Sequence, residues 1–219
     1  MPLSAELLPA GLLVILAATC LLDRQLPRAC LIFIFFALLM ALAWWQLDAP
    51  WLALAESLLG ALLTGAALRL GLGRFASQRP LPARDLHVRP PPQTVVRYLA
   101  ALVWLVLASI AVWGVAAGEA LVTPGEVSRR SLLITGLAIM VLGLWGFAHH
   151  LHLLRRLLAF NVLGSGVFLL LAGLAGPVIE VQGLILVGLV VALAGSVLGA
   201  LLLRRLFLLD GQVTLSDEG

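Results

Sequence analysis

WLALAESLLGALLTGAAL, residues 51–68, decides how the chain is read. It is eighteen residues long and its one charged residue is Glu56. A helix needs about 20 predominantly apolar residues to cross a hydrocarbon layer about 30 Å thick. This run therefore reads as a membrane span with an acid inside it. The rest of the composition agrees. The chain has 219 residues, 62% hydrophobic and 11% charged, whereas soluble domains carry about 25% charged residues.

Working outward, apolar runs recur at about 7–22, 29–47, 51–70, 98–117, 131–148, 157–174 and 181–203. The expected fold is an all-α integral membrane protein with about seven transmembrane helices. The N-terminus lacks a basic region and a cleavage site, so it reads as a first span rather than a removable signal. All 14 basic residues are Arg, and the net charge is +3. They concentrate in alternate connections: Arg24 and Arg28, then Arg69 to Arg97, then Arg155 and Arg156, then Arg204 and Arg205. By the positive-inside rule the N-terminus lies outside and the C-terminus is cytoplasmic, with Arg129 and Arg130 as a partial exception. Basic charge of this kind holds orientation in the bilayer and does not point to nucleic acid.

The longest connection contains RPLPARDLHVRPPP, rich in Pro and Arg. Consecutive prolines favour an extended polyproline conformation and remove backbone donors. This segment, 75–97, reads as a cytoplasmic linker. It divides an N-terminal three-helix module, 1–74, from a linking helix and outer loop, 98–130, a second three-helix module, 131–207, and a polar tail, 208–219.

Glu56 is the main candidate for chemistry. At helical spacing Gly60 and Thr64 share its face, and Leu54, Leu58 and Leu62 lie opposite. A small, weakly polar stripe admits a neighbouring helix. An acid facing that seam avoids lipid, where a charge at mid-bilayer costs at least about 2.5–3.5 kcal/mol. Three roles are open: a proton or cation relay, a protonated structural acid, or a residue that reaches the outer interface. In HHLHLLRR, His149, His150 and His152 with Arg155 and Arg156 read as a cytoplasmic cap, with proton entry as the functional alternative. Without a carboxylate or Cys beside them, a metal site is not expected. Asn161 in FNVLGSGVFLLL should find a partner on another helix. Gly188, Gly195 and Gly199 form a packing seam on the last span. Glu180 reads as an acid at a helix N-terminus. Cys20 and Cys30 read as small apolar packers. No phosphate loop, dinucleotide fingerprint, metalloprotease or nucleophile-elbow motif occurs, so neither an enzyme nor a cofactor is expected.

The segment DRQLPRACLIFIFFALLMALAWWQLDAPWLALAESLLGALLTGAAL, 23–68, resembles the three-span module of the MbhD subunit of membrane-bound hydrogenases. The same module occurs in the large MrpA antiporter subunit and is related to the complex I subunit NuoJ. The family pattern PDVALTEAAVGAGL keeps its Pro as Pro50 and its acid as Glu56, while Trp51 stands where the family has Asp. Residues 131–207 more distantly resemble the MrpC/NuoK type of subunit. GPVIEVQGLILVGLVV keeps Pro177, Gln182, Leu184, Leu186 and Val190 of that pattern, but Gly176 and Val187 replace its Asp and Thr. The complex I members carry buried glutamates in the second and third helices of this module, and this chain has none there.

The resemblance implies a small membrane subunit of a multisubunit monovalent cation/proton antiporter, or a related proton-translocating complex, in a bacterial or archaeal cell membrane. Its partners would be other membrane subunits, the lipid bilayer, and monovalent cations or protons. Its ion path would run past Glu56, Thr64 and Asn161, and its third helix would be of a kind that can carry a π-bulge. Two alternatives stand beside it. One is a passive scaffold in an antiporter-derived complex. The other is an independent transporter or membrane anchor, which the lack of an internal repeat disfavours.

Overall fold

The computed structural model describes residues 3–73, 124–176 and 178–210, with Val96, Leu99, Val103 and Ile110 as isolated helical positions. Among these residues the secondary structure is helical, and no extended strand occurs. We number the helices α1 (Leu3–Leu22), α2 (Leu26–Gln46), α3 (Pro50–Gly71), α4 (Pro124–His149), α5 (Leu153–Ala175) and α6 (Ile179–Asp210). Five of them, α2 to α6, contain stretches long and apolar enough to cross a membrane. The chain is thus a multi-pass membrane protein. In α1 the apolar stretch is shorter, Pro9–Leu22. The expected span at 98–117 lies outside the described residues apart from Leu99, Val103 and Ile110, as do the linker at 75–97 apart from Val96 and the tail at 208–219 from residue 211 onward.

Local chemistry fixes the helix ends. The Asp23 Oδ1 accepts the Gln25 N–H at 2.8 Å, turning the chain between α1 and α2. Pro27 then occupies the first turn of α2, where its missing N–H costs nothing. Asp48 takes a left-handed conformation, φ 54°, which short polar side chains tolerate, and Pro50 opens α3. Helix α5 is capped by His152, whose Nδ1 accepts the Leu154 N–H at 3.2 Å. It ends at Gly176, φ 77° and ψ 172°, an extended positive-φ conformation that essentially only Gly adopts.

The helices close into a ring: α1 touches α2 and α4, α2 touches α3, α3 touches α6, and α5 touches both α4 and α6. Helix α5 also reaches α1, α2 and α3, so it contacts every other described helix. Small residues set the approach distances. At Gly143 an added Cβ would lie 2.5 Å from the Leu163 N and 2.6 Å from its Cα, and one at Gly136 would lie 2.9 Å from the Gly166 O. The α4–α5 seam is therefore backbone against backbone, the close approach that small residues permit in membranes. Between α5 and α6, Gly188 receives the Phe168 ring, Gly195 faces Phe160, and Gly199 receives Leu157.

One end of the bundle gathers the turns between helices. Arg155, in the first turn of α5, is 7% exposed and donates from Nη2 to the Leu21 carbonyl at the end of α1. The Arg204 guanidinium of α6 lies over Gly73, just past the end of α3, where an added Cβ would sit 2.6 Å from Nη1. Gly71 faces Leu154 and Ala200. Leu54, Leu58 and Leu62 on α3 and Val187, Val191 and Leu198 on α6 point outward.

Candidate functional site

Helices α2 and α3 pack antiparallel, with Ile34 against Gly65, Ala37 against Gly60, and Trp44 beside Glu56. The apolar face of α3 carries leucines outward, so its small face turns toward α2 and α6. Glu56 lies on that small face and is 2% exposed. The Trp44 indole Nε1 donates to Glu56 Oε2 at 3.4 Å, and Trp44 itself is 1% exposed. The other carboxyl oxygen, Oε1, lies against the Gly60 α-carbon, where an added methyl group would overlap it. The Ala37 Cβ lies 3.7 Å from that same methyl position. The carboxyl is thus held on the α2 seam.

The helix changes character at this residue. From Glu56 to Thr64 the backbone is π-helical, with ordinary α-helix before it, Pro50–Ala55, and after it, Gly65–Gly71. The hydroxyl of Thr64 donates to the Leu59 carbonyl five residues back at 2.7 Å, and that of Ser57 donates to the Ala53 carbonyl at 2.8 Å. Wide turns of this kind are rare and concentrate at functional sites. Glu56, Gly60, Ala61 and Thr64 form the buried side of the segment.

The other expected positions occupy other levels. Asn161, on α5, donates from Nδ2 to Ser196 Oγ at 2.8 Å and to the Leu157 carbonyl at 2.9 Å. Ser196 Oγ lies 3.0 Å from Asn161 Oδ1 and 2.8 Å from the Ala192 carbonyl, so its single proton serves one or the other. Ser165 donates to the Asn161 carbonyl at 3.2 Å. Asn161 is thus clasped across the α5–α6 seam. Counting from Gly71, Leu153 and Arg204, and at 1.5 Å per residue, Thr64, Asn161 and Ser196 all lie about 10–12 Å from the arginine-bearing end. Glu56 lies farther along α3, at the opposite end of the π-helical segment from Thr64.

The histidines lie at the arginine-bearing end itself. His150 is 8% exposed and His152 is 1% exposed. Trp145 stacks on His149 at 5.1 Å between centroids and meets His150 edge-on at 5.9 Å. The Arg156 guanidinium lies over the Phe147 ring, 4.5 Å from its centroid. Read from sequence, this cluster is an interfacial cap. In the fold His150, His152 and Arg155 are interior groups, because α5 starts at Leu153 and turns Arg155 toward α1. Among the described residues no group of three or more His, Cys, Asp or Glu could hold a metal ion. Cys20 and Cys30 are buried free thiols, and Cys20 Sγ lies 3.4 Å from the Ala29 carbonyl.

Three functional features escape a reading of the sequence alone: Trp44 as the partner of Glu56, Ser196 as the partner of Asn161, and His152 as a helix cap. A sequence signal exists for the last, a side-chain acceptor two residues before the Leu154 N–H. Ser196 also lies inside the recognised small-residue seam of α6.

The fold and site define a multi-pass helical membrane protein with a buried acid on a π-helical segment. Residues 11–77 match the family model MbhD, which describes the D component of MBH. The match takes in the α1–α3 region with Glu56, and it covers less than half of the chain. No curated protein and no solved structure matches the chain.

Proposed function

We propose that this chain is a membrane subunit of a multisubunit ion-translocating complex of the membrane-bound hydrogenase or Mrp antiporter type, working in a bacterial or archaeal cell membrane. Its partners are larger antiporter-like membrane subunits, and it contributes Glu56 to an ion path. The observation that carries this reading is a single acid, 2% exposed, at the head of a π-helical segment, inside the part of the chain that matches MbhD. An ionisable group kept within a membrane span is costly and marks ion or proton pathways. A carboxyl on a wide helical turn, bonded to a single indole N–H, can hold a proton and pass it on when the turn rearranges. Catalysis of a bond-making reaction is not part of this role.

A passive scaffold is the competing reading, in which the Trp44 indole N–H satisfies a Glu56 carboxyl that never gives up its proton. Ion-driven proton flux in vesicles containing the whole native complex separates the two. Wild type is compared with Glu56→Gln at matched assembly. Loss of flux with the complex intact is the expected result. Unchanged flux would make Glu56 a structural acid and leave the scaffold.

A further inference from the structure

The surroundings of Glu56 carry information about which ion it handles. A hard metal cation gives up its hydration shell only when several oxygen ligands replace it. Glu56 can offer two. Its Oε2 faces the Trp44 indole N–H at 3.4 Å, and that group is a donor with no acceptor capacity. A donor hydrogen pointed at the carboxyl occupies the direction a cation would need and repels its charge. On the other side Oε1 is pressed to the Gly60 α-carbon, with Ala37 beyond it. Gly60 is buried and Ala37 is 0% exposed, so this wall is hydrocarbon.

The hydroxyl groups of this segment turn their protons to their own helix. The Ser57 hydroxyl is held to the Ala53 carbonyl and the Thr64 hydroxyl to the Leu59 carbonyl. Among the described residues Glu56 belongs to no group of three or more His, Cys, Asp or Glu that could hold a metal ion. A proton needs none of these ligands, because one carboxyl oxygen binds it whole. The indole N–H can donate to that carboxyl in either protonation state.

We infer that the Glu56 pocket exchanges protons and excludes alkali-metal cations, with Trp44 as the specificity-determining residue. This deepens the proposed function and rests on Glu56 being a titrating acid. Any monovalent metal cation moved by the assembled complex then travels by another route.

Carbodiimide labelling tests this on the whole complex in native membranes. Dicyclohexylcarbodiimide reacts with protonated carboxyls in apolar surroundings, and the modified peptide is quantified by mass spectrometry. Glu56→Gln assigns the signal by abolishing it. At fixed pH, sodium or potassium chloride is compared with choline chloride at equal ionic strength. The expected result is a labelling rate that falls as pH rises and is the same in all three salts. Severalfold slowing by sodium or potassium at constant pH would overturn proton selectivity while leaving Glu56 a titrating acid. Absence of labelling, or a rate indifferent to pH, would overturn the titrating acid itself and this inference with it.

Discussion

Replacing Gly143 by Ala gives the sharpest test of how the bundle is held together. The new methyl carbon would stand 2.5 Å from the Leu163 N and 2.6 Å from its Cα, both backbone atoms of α5. Carbon contacts are comfortable at about 3.5–4.0 Å, so α4 and α5 must part by about 1 Å. No side-chain rotation relieves the overlap, because the obstacle is main chain. Overpacking of this kind costs about 1–3 kcal/mol. Parting the seam also loosens the neighbouring contacts at Gly136 and Gly166, which places the effect toward the upper half of that range. Gly164 supplies the control. It lies on α5, and a Cβ there meets nothing within 4 Å. Gly164→Ala removes backbone freedom at no steric cost and gains up to about 1 kcal/mol of helix propensity. The two substitutions are chemically identical and opposite in predicted sign. Titration of the purified protein with dodecyl sulfate in mixed micelles, followed by helical circular dichroism, measures both. Equal midpoints for the two variants, or a Gly143→Ala protein as stable as wild type, would refute the backbone-contact account of the seam.

Further outcomes follow from the polar contacts. Asn161→Ala and Ser196→Ala should each lower stability by about 0.6–1.7 kcal/mol, the scale of interhelical hydrogen bonds in membranes. The double variant should lose less than their sum, and a double-mutant cycle with no coupling would dissolve the clasp. At the start of α5, His152→Ala should cost about 1 kcal/mol, while His152→Asn, which restores an acceptor at the cap, should recover most of it. The same denaturant titration reads this pair, and equal losses would show that the His152 ring acts by packing alone.

How much was legible in the sequence depended on whether one helix or two was needed to see a feature. The inward face of α3 was legible, because Glu56, Gly60 and Thr64 fall on one side of a helix whose other side is leucine. The seam at Gly188, Gly195 and Gly199 was legible for the same reason. The π-helical turn was not. Positions four and eight residues after Glu56 suit an α-helix as well, and the resemblance alone implied a third helix able to widen. Trp44 and Ser196 come from neighbouring helices, and pairing across helices depends on register, which one-dimensional periodicity does not carry. Arg155 differs for a smaller reason: the apolar run begins at 157, which leaves Arg155 in a connection. Starting α5 four residues earlier gives Arg155 a helical direction, and that direction points to Leu21.

The two arginines at one end of the bundle bear on how the chain is made. Arg155 reaches the last turn of α1 and Arg204 covers the residue just past α3, and both sit in the part of the chain synthesised last. Carbonyls at a helix C-terminus carry partial negative charge, which a guanidinium offsets. A second half threaded through the bilayer upside down would carry both guanidinium groups to the opposite surface, leaving those helix ends bare and Arg155 without its seat. Both arginine contacts therefore tie the later helices to the ends of the earlier ones, and they form only when the two halves share one insertion sense.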